Sequence, residues 1–229
     1  QELLQQPEVT TGVGKQESEQ EDIARFQTFT AVTEAVPVVP VKKQKPYLAH
    51  ALSKMSGNSE AIYEAQHRQR LRQQVQMLVA MEAPISKNWL YKKILQAWNI
   101  SRVGTRLEAY LQEIITEMDL TTTQHHQPFY WSAPVSGMDH YRSNETEKRN
   151  IEDIAPEEII VALEEVVAYN LSIDEEELVR YLCRSFGFSK VGKQIDTLLR
   201  YAIDIAEKDG KITREEGRVK INEASHYKV

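Results

Sequence analysis

From Gln66 to Met81 the apolar residues recur at helical spacing, with Leu71, Val75, Leu78 and Val79 on one face. Pro84 ends that run. Ser86 then stands where an N-cap belongs, ahead of a second stripe made of Leu90, Ile94, Leu95 and Trp98. A third stripe, Leu107, Leu111, Ile114, Ile115 and Met118, has the spacing of a buried helix face. Residues 121–131, TTTQHHQPFYW, set β-branched and aromatic ends around a polar middle, the pattern of a small β-hairpin.

The same pattern returns 88 residues later. Val75, Leu78 and Val79 fall on Leu163, Val166 and Val167, and Ile85, Leu90, Ile94 and Trp98 on Ile173, Leu178, Leu182 and Phe186. Ser101, Val103 and Gly104 meet Ser189, Val191 and Gly192 unchanged, and Leu107, Leu111 and Ile115 meet Ile195, Leu199 and Ile203. The register runs from 75 to 115 without a gap and includes a shared S-[RK]-V-G element, so the chain reads as an internal duplication.

The turn after the second helix supports this. Asn99 and Gly187 occupy the same position, and both residue types tolerate the left-handed backbone that ends helices. Ile100 and Phe188 follow as apolar anchors. Ser101 and Ser189 are expected to cap the third helices, giving a three-residue linker of the helix-turn-helix kind. In the second copy, turns at Asp209-Gly210 and at Gly217 frame a short β-wing. The expected fold is therefore mainly α: two tandem winged-helix domains, each of three helices plus a small β-wing, behind a largely irregular N-terminal segment.

The N-terminal residues lack this order. Residues 1–45 are rich in Gln and Glu and then proline-punctuated (VPVVPVKKQKP, 36–46), and read as a flexible or linker segment in which 23–32 is a short helix or strand. Residues 46–135 are expected to be copy one, with Tyr47, Leu48 and Leu52 anchoring its start; 136–150 is a linker and 151–229 is copy two. The chain starts at Gln1 rather than Met and is expected to be a piece of something longer.

Charge changes the picture locally. The net charge is −6, which argues against indiscriminate coating of nucleic acid. Yet residues 68–131 hold eight Lys and Arg against five Asp and Glu, the one basic stretch. A mean hydropathy of −0.51 and the lack of a long apolar run fit a cytoplasmic protein with no membrane span or signal peptide. The single cysteine, Cys183, sits in an apolar helical pattern and reads as a buried small hydrophobe.

Two segments carry a family resemblance. MEAPISKNWLYKKILQAWNISRVGTRL (81–107) in copy one, and EDIAPEEIIVALEEVV (152–167) with FGFSKVGKQI (186–195) in copy two, resemble the C-terminal region of large bacterial superfamily-one helicases. Those helicases carry a restriction-type or very-short-patch-type nuclease domain, and the region in question is a helical domain of unknown function. The resemblance covers roughly residues 65–222 and its motifs are short. Asn99 departs from the family's more frequent glycine, and Lys190 from its arginine. The resemblance implies a non-catalytic accessory region, with the helicase and nuclease domains upstream as partners and duplex or forked DNA as ligand.

Candidate contacts follow from the residues themselves. With Ser101 as cap, Arg102, Thr105 and Arg106 share a face at the start of the third helix, the end that approaches the major groove in helix-turn-helix proteins. Lys87, Lys92 and Lys93 on the preceding helix add phosphate contacts. Copy two offers Lys190 and Lys193 beside Gln194, but the acidic runs EEIIVALEE and IDEEE favour a protein partner there, such as the helicase body. Protein docking is thus the alternative function. Asp174 with Glu177 reads as a capping box, and Glu157-Glu158 and Glu164-Glu165 as solvated faces. His125 and His126 lack neighbouring ligands at metal spacing, and Phe129, Tyr130 and Trp131 read as core. No G-x-x-x-x-G-K-[ST] loop occurs, so no ATPase of that type, no cofactor and no metal are expected.

Overall fold

The elements follow the hydrophobic stripes, with one addition at the start. The computed structural model describes residues 43–56, 59–145 and 147–222, and its first element is a short strand, β1 (Gln44–Pro46). The expectations for the segment before residue 43, including 23–32, lie outside the described residues. Tyr47 anchors the chain as expected, at 1% exposure, and Leu52 packs against the copy-one core, but Leu48 points outward at 67%.

In copy one, α1 (Ala65–Glu82) buries Leu71, Val75, Leu78 and Val79. It stops before Pro84 and leads through β2 (Ile85–Ser86) into α2 (Lys87–Ala97). Ser86 caps α2 as expected, its Oγ accepting from Trp89 N at 3.0 Å. Asn99 adopts φ 52°, and Ile100 N donates to Leu95 O at 2.9 Å, so a left-handed turn ends the helix and folds Ile100 back onto it. α3 (Thr105–Thr116), β3 (Thr121–Gln124) and β4 (Pro128–Trp131) complete the copy. The three strands form an antiparallel sheet in the order β2-β4-β3.

After β5 (Tyr141–Ser143), copy two repeats this order: α4 (Pro156–Asn170), β6 (Ile173–Asp174), α5 (Glu175–Ser185), α6 (Lys193–Lys208), β7 (Ile212–Glu215) and β8 (Arg218–Ile221). Its sheet order, β6-β8-β7, is that of copy one. β6 and α5 lie 88 residues after β2 and α2 at both ends, Asp174 caps α5 through Glu177 N, and Gly187 takes φ 78° where Asn99 takes its positive φ. The aligned apolar residues from Val75 to Ile115 and from Leu163 to Ile203 fill two separate cores. The duplication read from sequence is therefore structural.

One local expectation fails in both copies. The third helices begin at Thr105 and Lys193, capped by Gly104 and Gly192 rather than by Ser101 and Ser189. The apolar stripe fixes the helix phase but not its start, because the first residue it must bury is Leu107. Residues 101–104 are all exposed and run as a turn, so Arg102 is not on the helix.

Within the expected linker 136–150, residues Tyr141–Ser143 and Arg149 fasten the copies together. β5 pairs in parallel with β1, Gln44 opposite Tyr141. Arg142 donates to Glu82 O, Ala83 O and Pro84 O at the end of α1, at 2.7, 3.3 and 3.0 Å. Its other side reaches across to Glu158 of α4, Nη2 to Oε2 at 2.7 Å. Arg149 joins the same carboxylate at 2.9 and 3.0 Å, and its guanidinium lies 4.2 Å from the centre of the Tyr47 ring. Glu158 is thus fully buried, not part of a solvated face. Burial alone would raise its carboxyl, but the two guanidiniums overcome that and hold it at about 2.

The hairpin of copy one also closes on copy two. Gln127 Nε2 donates to Glu152 O at 2.7 Å, His126 donates to the same carbonyl, and His125 lies 2.8 Å from Glu157 and 3.2 Å from the Tyr201 hydroxyl. Phe129 and Trp131 pack with Ala155, and Ser86 Oγ donates to Asp153 at 2.6 Å. The aromatic residues are core, as read, and the histidines belong to an interface.

Leu171 stands out on the turn between α4 and β6. It has φ 59° and ψ −41°, is 82% exposed, and is spanned by a Ser172 N to Asn170 O hydrogen bond at 2.6 Å. That is a γ-turn in its strained, positive-φ form. With no burial to lose, Leu171→Gly is expected to stabilise the fold by about 1 kcal/mol. The thermal midpoint should rise by roughly 2–4 °C; a fall would mean that the turn carries no strain.

Candidate functional site

The turn between the second and third helix of each copy borders a groove. In copy one, Asn88, Tyr91, Lys92, Leu95 and Gln96 repeat at helical spacing along α2 and face Ile100, Ser101 and Val103 across a cavity of about 450 Å³. Copy two has its counterpart, about 290 Å³, between Glu176, Val179, Arg180, Cys183 and Arg184 of α5 and Ser189, Lys190 and Val191. The linings agree at seven of eight positions under the 88-residue shift, copy two having Lys190 in place of the counterpart of Ile100. The rims are polar, the floors are Tyr91 with Leu95 and Val179 with Cys183, and Val103 and Val191 are left 40% and 37% exposed.

The candidate cations separate into three groups. Arg102, Lys92, Lys190 and Lys193 are exposed, and no ion pair among the described residues holds them. Lys92 lies 4.3 Å from the Trp89 ring centre, which fixes it beside the groove. Arg106 is also exposed but bends away, over Tyr63 at 3.9 Å and to Glu60 at 3.2 Å. Because both partners of that pair are about 70% exposed, it is weak and leaves Arg106 free to exchange. Lys87 is paired with Glu108 at 2.8 Å. Lys93 is a correction: it is buried, 3.0 Å from Glu82 and donating to His50 O, so it supports the fold and is closed to a ligand.

The outer face of α3 is not basic. Besides Thr105 and Arg106 it presents Glu108 and Glu113, with Glu117 at its end, and the latter two hold Arg68 and Arg72. Positive charge instead gathers at the turn and along α2. There the start of α3 adds its own potential. Gly104 and Gly192 offer no side-chain cap, so the first N–H groups of α3 and α6 lack a side-chain acceptor at the cap position.

The acidic runs of copy two are mostly spent within the fold. Glu158 holds two arginines, Glu157 meets His125, Glu164 pairs with Lys211, and Glu175 and Glu176 pair with Arg200. Arg214 bridges Glu175, Asp204 and Glu207. Sequence reasoning placed this charge beside Lys190 as if it were free, since pairing across elements leaves no mark at short spacing. Arg180 and Arg184, one turn apart on α5, were missed; the signal available was that Arg180 falls on Lys92 under the repeat.

Cys183 is buried, and burial pushes its thiol up, as suits a core residue. Among the described residues no cluster of three metal-ligating side chains occurs, and no helix is long and apolar enough to cross a membrane. Residues 60–109 are similar to a family described as a protein of unknown function (DUF3320). That stretch contains α1, α2, the turn and the first residues of α3, and hence the whole copy-one groove. Neither the curated proteins nor the solved structures gave a match.

Proposed function

We propose that each copy is a winged helix and that the chain is a non-catalytic, cytoplasmic accessory region of a helicase–nuclease, binding DNA through copy one. The topology supports the first part: helix, short strand, two helices and a hairpin, with the first strand beside the last. The observation that carries the second is two exposed cations without an ion pair among the described residues, Lys92 on the groove wall and Arg102 in the turn that borders it, next to the uncapped start of α3. Thr105, at the first helical position, and Arg106, released from Glu60, complete the contact.

Recognition in this form is of the phosphate backbone. The carboxylates on the outer face of α3 are paired with Lys87, Arg68 and Arg72, so that face offers little free positive charge to the major groove, whereas lysine and arginine at a turn neutralise phosphates with little regard to base sequence. A chain of net charge −6 is compatible with this. Charges further away than the roughly 10 Å screening length at 0.1 M salt contribute little to the local field. In an amide-detected NMR titration with a mixed-sequence duplex, the shifts are expected at Lys92 and across 101–106. Shifts elsewhere alone, or none at low salt, overturn this reading.

Protein docking remains the second reading on one specific observation. Met77 and Met81, one turn apart on α1, are 47% and 62% exposed, and Leu48 is 67% exposed. The segment 50–53 runs alongside, bounding a cavity of about 410 Å³ with Met77 and Ala80. Apolar surface of this kind suits a partner protein.

A further inference from the structure

We infer that copy two holds a second phosphate-backbone site, formed by Arg180, Arg184 and Lys190 with Lys193 at its edge, so that the chain grips one nucleic acid at two equivalent grooves. The inference rests on the nucleic-acid reading of copy one.

The comparison between copies carries it. Many exposed positions differ between the copies: Arg106 stands opposite Gln194, Glu113 opposite Tyr201 and Gln112 opposite Arg200. At the groove two cationic positions and the turn have stayed, although Asn88 stands opposite Glu176 and Gln96 opposite Arg184. Lys92 and Arg180 are both cations, as are Arg102 and Lys190, while Ser101, Val103 and Gly104 recur as Ser189, Val191 and Gly192. The lysine and arginine exchange within each pair, so charge rather than a particular shape is the common property.

Folding does not require these charges. Arg180, Arg184 and Lys190 are exposed and hold no carboxylate among the described residues, unlike Arg200 and Arg214 nearby. Arg184 lies 5.8 Å from the Tyr181 ring centre, which leaves its guanidinium at the groove edge. The one acid on the rim, Glu176, is neutralised by Arg200. Copy two also gains Arg184 where copy one has Gln96, and Lys193 where it has Thr105. Its groove is thus the more cationic of the two, with Gly192 again leaving the following helix without a side-chain cap. A surface of this kind complements a regularly spaced polyanion. The fastening of the copies through Glu158 keeps the two grooves at a fixed separation, the condition under which linked sites gain avidity.

The test is fluorescence anisotropy of the full chain with a labelled duplex of about 20 base pairs, titrated across salt, for wild type and for Arg180→Ala/Arg184→Ala/Lys190→Ala. The triple variant is expected to bind at least about tenfold more weakly at low salt, with the slope of log affinity against log salt smaller by about two to three. Its thermal midpoint should be unchanged, and Arg180→Lys/Arg184→Lys/Lys190→Arg should retain the binding. Wild-type affinity and slope in the triple variant overturn the second site and leave copy one standing. No salt-dependent binding by wild type overturns the reading beneath both. Displacement of the duplex by polyglutamate at equal charge and equal affinity overturns nucleic acid as the occupant.

Discussion

Glu158→Ala is expected to lower the stability of the folded chain by about 3–5 kcal/mol. The carboxylate accepts from the Arg142 backbone N–H, from Arg142 Nε and Nη2 and from both terminal nitrogens of Arg149, all buried. Removing it strands two guanidiniums where water does not reach. Against a typical total of about 5–15 kcal/mol, that is a large fraction. Glu158→Gln keeps the shape and one acceptor oxygen but not the charge, and should fall in between. The same carboxylate sets an acid limit. Its folded pKa, about 2, lies below the ordinary carboxylate value, so its contribution is complete above that ordinary value and is lost as pH falls towards 2. Asp153 opposes this, because burial raises it against the Ser86 hydrogen bond and protonation relieves the charge. Denaturant melts from pH 7 down to pH 2.5 check the sign: stability should drop in wild type below about pH 4.5, and much less in Glu158→Gln.

The effect has a functional side. Arg142 ties the C-terminal end of α1 in copy one to α4 in copy two, and the Gln127, His125 and His126 contacts close the copy-one hairpin onto the same partner. A hairpin held in this way is not a free wing for a nucleic-acid groove. That turns attention to the α2 side of copy one, where the exposed cations stand.

Much of this architecture was readable from the residues. The stripes of Leu71–Val79 and Leu90–Trp98 gave their helices, Ser86 gave its cap, and the hairpin at 121–131 followed from its β-branched and aromatic ends. The shared S-[RK]-V-G element led to a duplication that the two sheets repeat strand for strand. Each of these signals is local, or recurs at a constant offset. The fastening segment was hidden because Arg142 and Arg149 sit in a polar stretch and their partner belongs to the other copy. One clue was present: Glu158 shares its helix stripe with Ala162 and Val166, both buried. The site was legible in part. Arg102 and Lys92 are open, whereas Lys93 is buried and Lys87 is paired, a distinction made by Glu82 and Glu108 on neighbouring elements.

Lys92→Ala/Arg102→Ala carries the second large effect and tests the central claim, that the open cations of copy one hold the phosphate backbone. Neither residue is buried, and neither is ion-paired among the described residues, so the double variant should melt as wild type does. Each phosphate neutralised contributes roughly 0.9 to the slope of log affinity against log salt. The measurement is that slope, for wild type and double variant on the same duplex between about 50 and 200 mM salt. A slope shallower by about two, with affinity at low salt down tenfold or more, is the expected result. An unchanged slope and affinity in a fully folded double variant would contradict the claim.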